Sequence, residues 1–166
     1  MLSLNGTSNQ TLFKRLIALD ASDRATTVEM LAYIAELDLG RAYCEEGYSS
    51  MFAYCVGVLN FDEGRAYKLI NVARAGRELP LIFEMVAGGA LHITGVNMLT
   101  KYLTKENHAE VLEAAARKTK RQIQELIAVR FPVPDAPTTI RKLPQTSIPA
   151  PRLLREPASV IGEKKI

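Results

Sequence analysis

Seven of the eight prolines in this 166-residue chain fall between Pro132 and Pro157, and only Pro80 precedes them. Proline has no amide hydrogen to donate and clashes with the preceding helical turn, so it is excluded from helix interiors and central strands. The chain therefore divides. Residues 9–131 are free to build regular structure, whereas residues 132–166 read as an extended, Pro-rich basic linker or tail, disordered in expectation. The polar residues 1–8 read as a flexible N-terminus. Hydrophobic residues make up 48% and charged residues 23% of the chain, an ordinary globular balance that lets the body fold alone.

Within the body, apolar residues recur at the helical period and nowhere alternate with period 2. The predicted class is all-α: a compact bundle of seven or eight short helices. Leu12, Leu16 and Leu19 define a first helix. A second, capped by Ser22 or Asp23, has Val28, Leu31, Ala32, Ala35 and Leu39 on its apolar face, and the two are expected to pair antiparallel. Tyr48-Ser49-Ser50 introduces a short helix with a serine cap, and Asp62 caps a longer one reaching Glu78. Pro80 suits the first turn of a helix that stops at Gly88-Gly89. Further helices are expected from Thr94 to Leu103, from Thr104 through Ala115, and from Lys120 to Arg130, the last opened by a Thr119–Gln122 capping box.

Several function classes are excluded by what the residues lack. No apolar run approaches the ~20 residues needed to cross a bilayer, and the N-terminus has no signal-peptide pattern, so a cytoplasmic protein is expected. Cys44 and Cys55 form no CxxC pair and read as buried thiols. His92 and His108 are the only histidines. They do not cluster with other ligand types and read as surface or capping residues, so no catalytic residue, metal site or cofactor is predicted. Pro134-Asp135 with Glu163-Lys164-Lys165 imitates a nuclease signature, but that signature needs strands and this stretch is broken by proline.

Charge is more informative by region than in sum. Residues 1–131 hold fifteen basic and fifteen acidic side chains, so the net +3 resides in the tail. Inside the body, residues 1–46 carry four basic against seven acidic groups, and residues 60–131 carry eleven against eight. Two features lie in the basic half. Residues 49–78 have the layout of a helix-turn-helix, whose longer helix turns Ala66, Leu69, Ile70 and Ala73 inward. That leaves Gly64, Tyr67, Lys68, Asn71, Arg74 and Ala75 outward, a set able to meet phosphates and base edges; Arg65 is placed near the groove with them. The second is Arg117-Lys118-Thr119-Lys120-Arg121 at a helix start, where cations oppose the helix dipole unless an anion binds among them. The predicted DNA-binding set is thus Arg65, Lys68, Asn71, Arg74, Arg117, Lys118, Lys120 and Arg121, with double-stranded DNA as partner.

Gly47-Tyr48-Ser49-Ser50-Met51-Phe52-Ala53-Tyr54-Cys55, followed by Ala66-Tyr67-Lys68-Leu69-Ile70 and Ala73-Arg74, resembles the N-terminal helical region of bacterial HNH-endonuclease-domain proteins. Gly89-Ala90-Leu91-His92, Leu103-Thr104-Lys105-Glu106-Asn107-His108, Lys118-Thr119-Lys120-Arg121, Pro134-Asp135-Ala136-Pro137 and Ile140-Arg141-Lys142-Leu143-Pro144 extend the likeness from Leu12 to Pro144. In that family the chemistry lies in a C-terminal HNH module, none of whose catalytic residues has a counterpart here. Leu79-Pro80-Leu81-Ile82 and Leu91-His92-Ile93-Thr94-Gly95, after the helix pair, are similar to the DNA-binding region of ParB-type partition proteins, which makes Asp62 to Val72 the recognition helix. Both resemblances imply a non-catalytic DNA-binding module. The competing expectation is a protein-interaction or regulatory module, either a homodimer or a partner of a nuclease-type protein, working through the first two helices or the tail.

Overall fold

Ser8 stands in extended conformation with its hydroxyl accepting the Thr11 amide, and from it runs α1, Asn9–Leu39, a single helix of 31 residues. The computed structural model describes residues 7–132. Among these are seven α-helices and one 3-10 turn, with no strand. The predicted break at Ser22 or Asp23 does not occur, so there is no antiparallel pair of short helices. No glycine or proline interrupts Asn9–Leu39, and serine or aspartate caps a helix only where the preceding chain has left it. Here the Ser22 carbonyl accepts the Thr26 hydroxyl at 3.0 Å, a bond compatible with a continuing helix. α1 is thus about 46 Å long. It buries Leu31, Ile34 and Ala35, while Ala32 and Leu39, expected inside, are exposed.

Gly40 ends α1, and a 3-10 turn at Ala42–Cys44 reverses the chain. Cys44 is exposed on this corner, against the expectation of two buried thiols, because a three-residue turn offers no helical face to cover it. Ser50 caps α2, Met51–Gly57, and Asp62 caps α3, Glu63–Glu78, through a 2.8 Å bond to the Arg65 amide. Both caps fall where the sequence placed them.

α3 is the centre of the body. Ala66, Leu69, Ile70, Val72, Ala73 and Gly76 are buried along it, and its small residues let α1, α2, α4 (Leu81–Ala87) and α5 (Ile93–Leu99) approach closely. Gly76 shows this best, since a Cβ there would lie 2.2 Å from the Phe83 ring. α4 stops at Gly88 and Gly89, the latter at φ +70 with the Arg24 guanidinium laid against it. His92 then caps α5 with Nδ1 accepting the Gly95 amide at 2.9 Å. α5 is shorter than the predicted Thr94–Leu103, because Tyr102 and Leu103 bond back to the Leu99 carbonyl in a turn.

The next helix also begins later than expected. Thr104 and Asn107 bond each other's backbone amides and close a turn, so α6 spans His108–Ala115. α7, Lys120–Arg130, opens with the predicted Thr119–Gln122 capping box. Val96, Leu99, Val111, Leu112, Ala115 and Ile123 complete the core. The described residues form one compact unit, and the predicted tail, apart from Pro132, and residues 1–6 of the predicted flexible N-terminus lie outside them. No helix of the described residues is long and apolar enough to cross a membrane.

Candidate nucleic-acid interface

α3 turns inward the four residues predicted to face in, together with Val72 and Gly76. Its remaining arc is Gly64, Tyr67 and Arg74, all exposed, and Lys68, Asn71 and Ala75, half-buried. Glu63 and Glu78 stand at its two ends.

The polar groups on this arc are not equally available. Arg74 donates two hydrogen bonds to the Asp38 carboxylate of α1, at 2.7 and 3.0 Å. That bond raises the guanidinium pKa above its ordinary value and ties the side chain to its own protein. Arg65 lies over the Phe61 ring, 4.3 Å from its centroid, within the range of a cation–π contact. Lys68 has no ion-pair partner among the described residues. Asn71 donates from Nδ2 to Asn97 Oδ1 of α5 at 3.2 Å, which leaves the Asn71 oxygen as an acceptor and the Asn97 amide as a donor.

Those two amides sit in a cleft of about 620 Å³ between α3, α5 and α7. Tyr67, Tyr102 and Phe131 supply aromatic surface and Gln124 a third amide; among the described residues Lys101 is the only charge lining it, and no carboxylate does. Tyr102 and Phe131 stack at 4.9 Å between centroids. Sequence reasoning found Tyr67 and Asn71 but missed Asn97, Lys101, Tyr102, Gln124 and Phe131. Asn97, Lys101 and Tyr102 lie in and just after α5, and Gln124 and Phe131 in and just after α7, so nothing local to them announces the convergence.

The basic run before α7 is placed elsewhere. Arg117, at φ 56, gives its amide to the Ala90 carbonyl at 2.7 Å and pins this connection to the α4–α5 turn. Arg117 and Lys118 line a second depression, of about 480 Å³, together with Asp20, Asp23 and Arg24 of α1. Positive and negative groups alternate there. Lys120 is exposed and unpaired among the described residues, whereas Arg121 pairs with Glu125 on the next turn at 3.2 Å. No group of three or more metal-binding side chains occurs among the described residues.

The chain matches no protein-family model, no curated protein and no solved structure.

Proposed function

We propose that this chain is a non-catalytic DNA-binding module in which α2 and α3 act as a helix-turn-helix and duplex DNA docks along the outward arc of α3. The observation that carries this reading is the cleft beside that arc, where Tyr67, Asn71, Asn97, Lys101 and Gln124 offer donors, acceptors, aromatic surface and one cation, with no carboxylate among the described residues that line it. Amide edges of this kind pair with bases, and lysines neutralise phosphates. Lys68 and Lys120 add charges that have no ion-pair partner among the described residues. The resemblance to the N-terminal region of HNH-endonuclease-domain proteins and to ParB-type DNA-binding regions points to the same helix. A body with equal numbers of acids and bases keeps affinity modest.

Fluorescence anisotropy of a labelled mixed-sequence duplex tests the assignment through variants. Lys68→Ala and Lys120→Ala are expected each to weaken binding and to reduce the salt slope by about one. Arg74→Ala, whose charge is already committed to Asp38, is expected to weaken it less than Lys68→Ala. Unchanged affinity and slope in both lysine variants would remove α3 and α7 from the interface. A protein-interaction module is favoured by a different observation, the exposed apolar surface of α1.

A further inference from the structure

α1 carries two apolar stripes, and the body covers only one of them. Leu31, Ile34 and Ala35 face α3 and α4. The other stripe runs the length of the helix at alternating spacings of four and three residues: Leu12, Leu16, Leu19, Asp23, Thr26, Met30, Tyr33 and Leu37. This is the spacing of a helix that pairs with another helix, because it keeps one seam facing the partner over many turns. The seam is open to solvent: Leu16 is 64% exposed, Leu19 50%, Tyr33 63% and Leu37 38%. From Leu12 to Leu37 it measures about 38 Å, well beyond the scattered apolar residues of an ordinary surface.

Its two halves differ. Residues 9–19 are exposed on every side, save for half-buried Leu12, and the body's second depression meets α1 only from Asp20 onward. The second half forms one wall of a groove of about 310 Å³, in which Met30, Tyr33 and Leu37 of α1 face Met51, Tyr54 and Leu59. Each copy therefore presents a free apolar half-helix and an apolar groove.

We propose that α1 pairs antiparallel with α1 of a second copy of this chain, the Leu12–Leu19 half of each lying in the groove of the other. In that arrangement Leu12 meets Leu37, Leu16 meets Tyr33, Leu19 meets Met30, and the polar Asp23 falls opposite Thr26 near the two-fold axis. Charge agrees, because Arg15 of one copy flanks Glu36 of the other, twice per dimer. A parallel, in-register pair would instead set Asp23 against Asp23. The interface is closed and self-complementary, as a two-fold contact must be.

Sedimentation equilibrium of the full chain between about 1 and 100 µM tests this. A monomer–dimer equilibrium is expected, with Leu16→Glu/Leu19→Glu monomeric throughout. Both leucines are exposed on α1, so at concentrations where the parent is itself monomeric the far-UV circular dichroism and melting temperature of that variant should match the parent's. Arg15→Glu should weaken the dimer about tenfold, and Arg15→Glu/Glu36→Arg should restore it. With Cys44→Ser, oxidation of Leu16→Cys/Tyr33→Cys should link two copies, whereas Leu16→Cys alone should not. A full chain that stays monomeric at 100 µM, or a dimer that survives the double glutamate substitution, would overturn the proposal. So would a dimer appearing only after residues 134–166 are removed, since the seam would then be covered by the chain's own tail. Failure of the charge swap to restore binding would overturn the antiparallel arrangement.

Discussion

Gly76 has no side chain because the Phe83 ring of α4 occupies the place where one would be. All three of the nearest atoms belong to that ring, which cannot withdraw as the end of a flexible chain would. Gly76→Ala should therefore destabilise the body by about 1–3 kcal/mol, read as a lower midpoint in urea with an unchanged slope. An unaltered or raised midpoint would mean that α3 and α4 pack less tightly than described. The two cysteines offer a second check. Burial pushes the Cys55 thiol pKa up, the nearby Asp38 carboxylate acts in the same direction, and the side chain is fully covered, whereas Cys44 is exposed. Near neutral pH a thiol reagent should modify one cysteine per native chain, Cys44, and two after denaturation. At the candidate interface, the helical period identified four of the inward residues of α3, while of the six expected outward Gly64, Tyr67 and Arg74 are exposed and Lys68, Asn71 and Ala75 half-buried. It could not reveal that Arg74 spends its charge on Asp38, because that partner lies 36 positions away on another helix.

The helix boundaries show why some elements were legible and others were not. Ser50, Asp62 and the Thr119–Gln122 pair each follow a stretch that has left helical conformation, so their side chains find free amides to cap. Ser22 and Asp23 have the same chemistry but follow unbroken helix, and they cap nothing. A capping residue marks a helix start only when something else has ended the preceding one. α5 and α6 were misplaced for a related reason: between them Tyr102, Thr104 and Asn107 bond into local turns that resemble helical continuation in sequence. Thr119→Ala removes one half of a two-sided cap and should cost about 1 kcal/mol, measured by urea unfolding. No change would mean that the α7 start is held by the Arg117–Ala90 bond rather than by its cap.

On the scale of the whole molecule, a helical body surrounds α3 and leaves two unlike surfaces open. One is the polar, aromatic cleft between α3, α5 and α7; the other is the apolar seam of α1. The all-α class followed from periodicity and from the placement of proline. The cleft did not, since it joins residues from three helices that only tertiary packing brings together. The seam's spacing was present in the sequence, but a predicted break at Ser22 divided it into two unremarkable pieces. The proposed DNA docking would use the first of these surfaces and the proposed pairing of two copies the second. DNA docking along α3 is tested most directly by anisotropy of a labelled duplex with the parent protein at several salt concentrations. Four or five phosphate contacts predict a log–log slope of roughly −4. Absence of binding at low salt, or binding indifferent to salt, would contradict it.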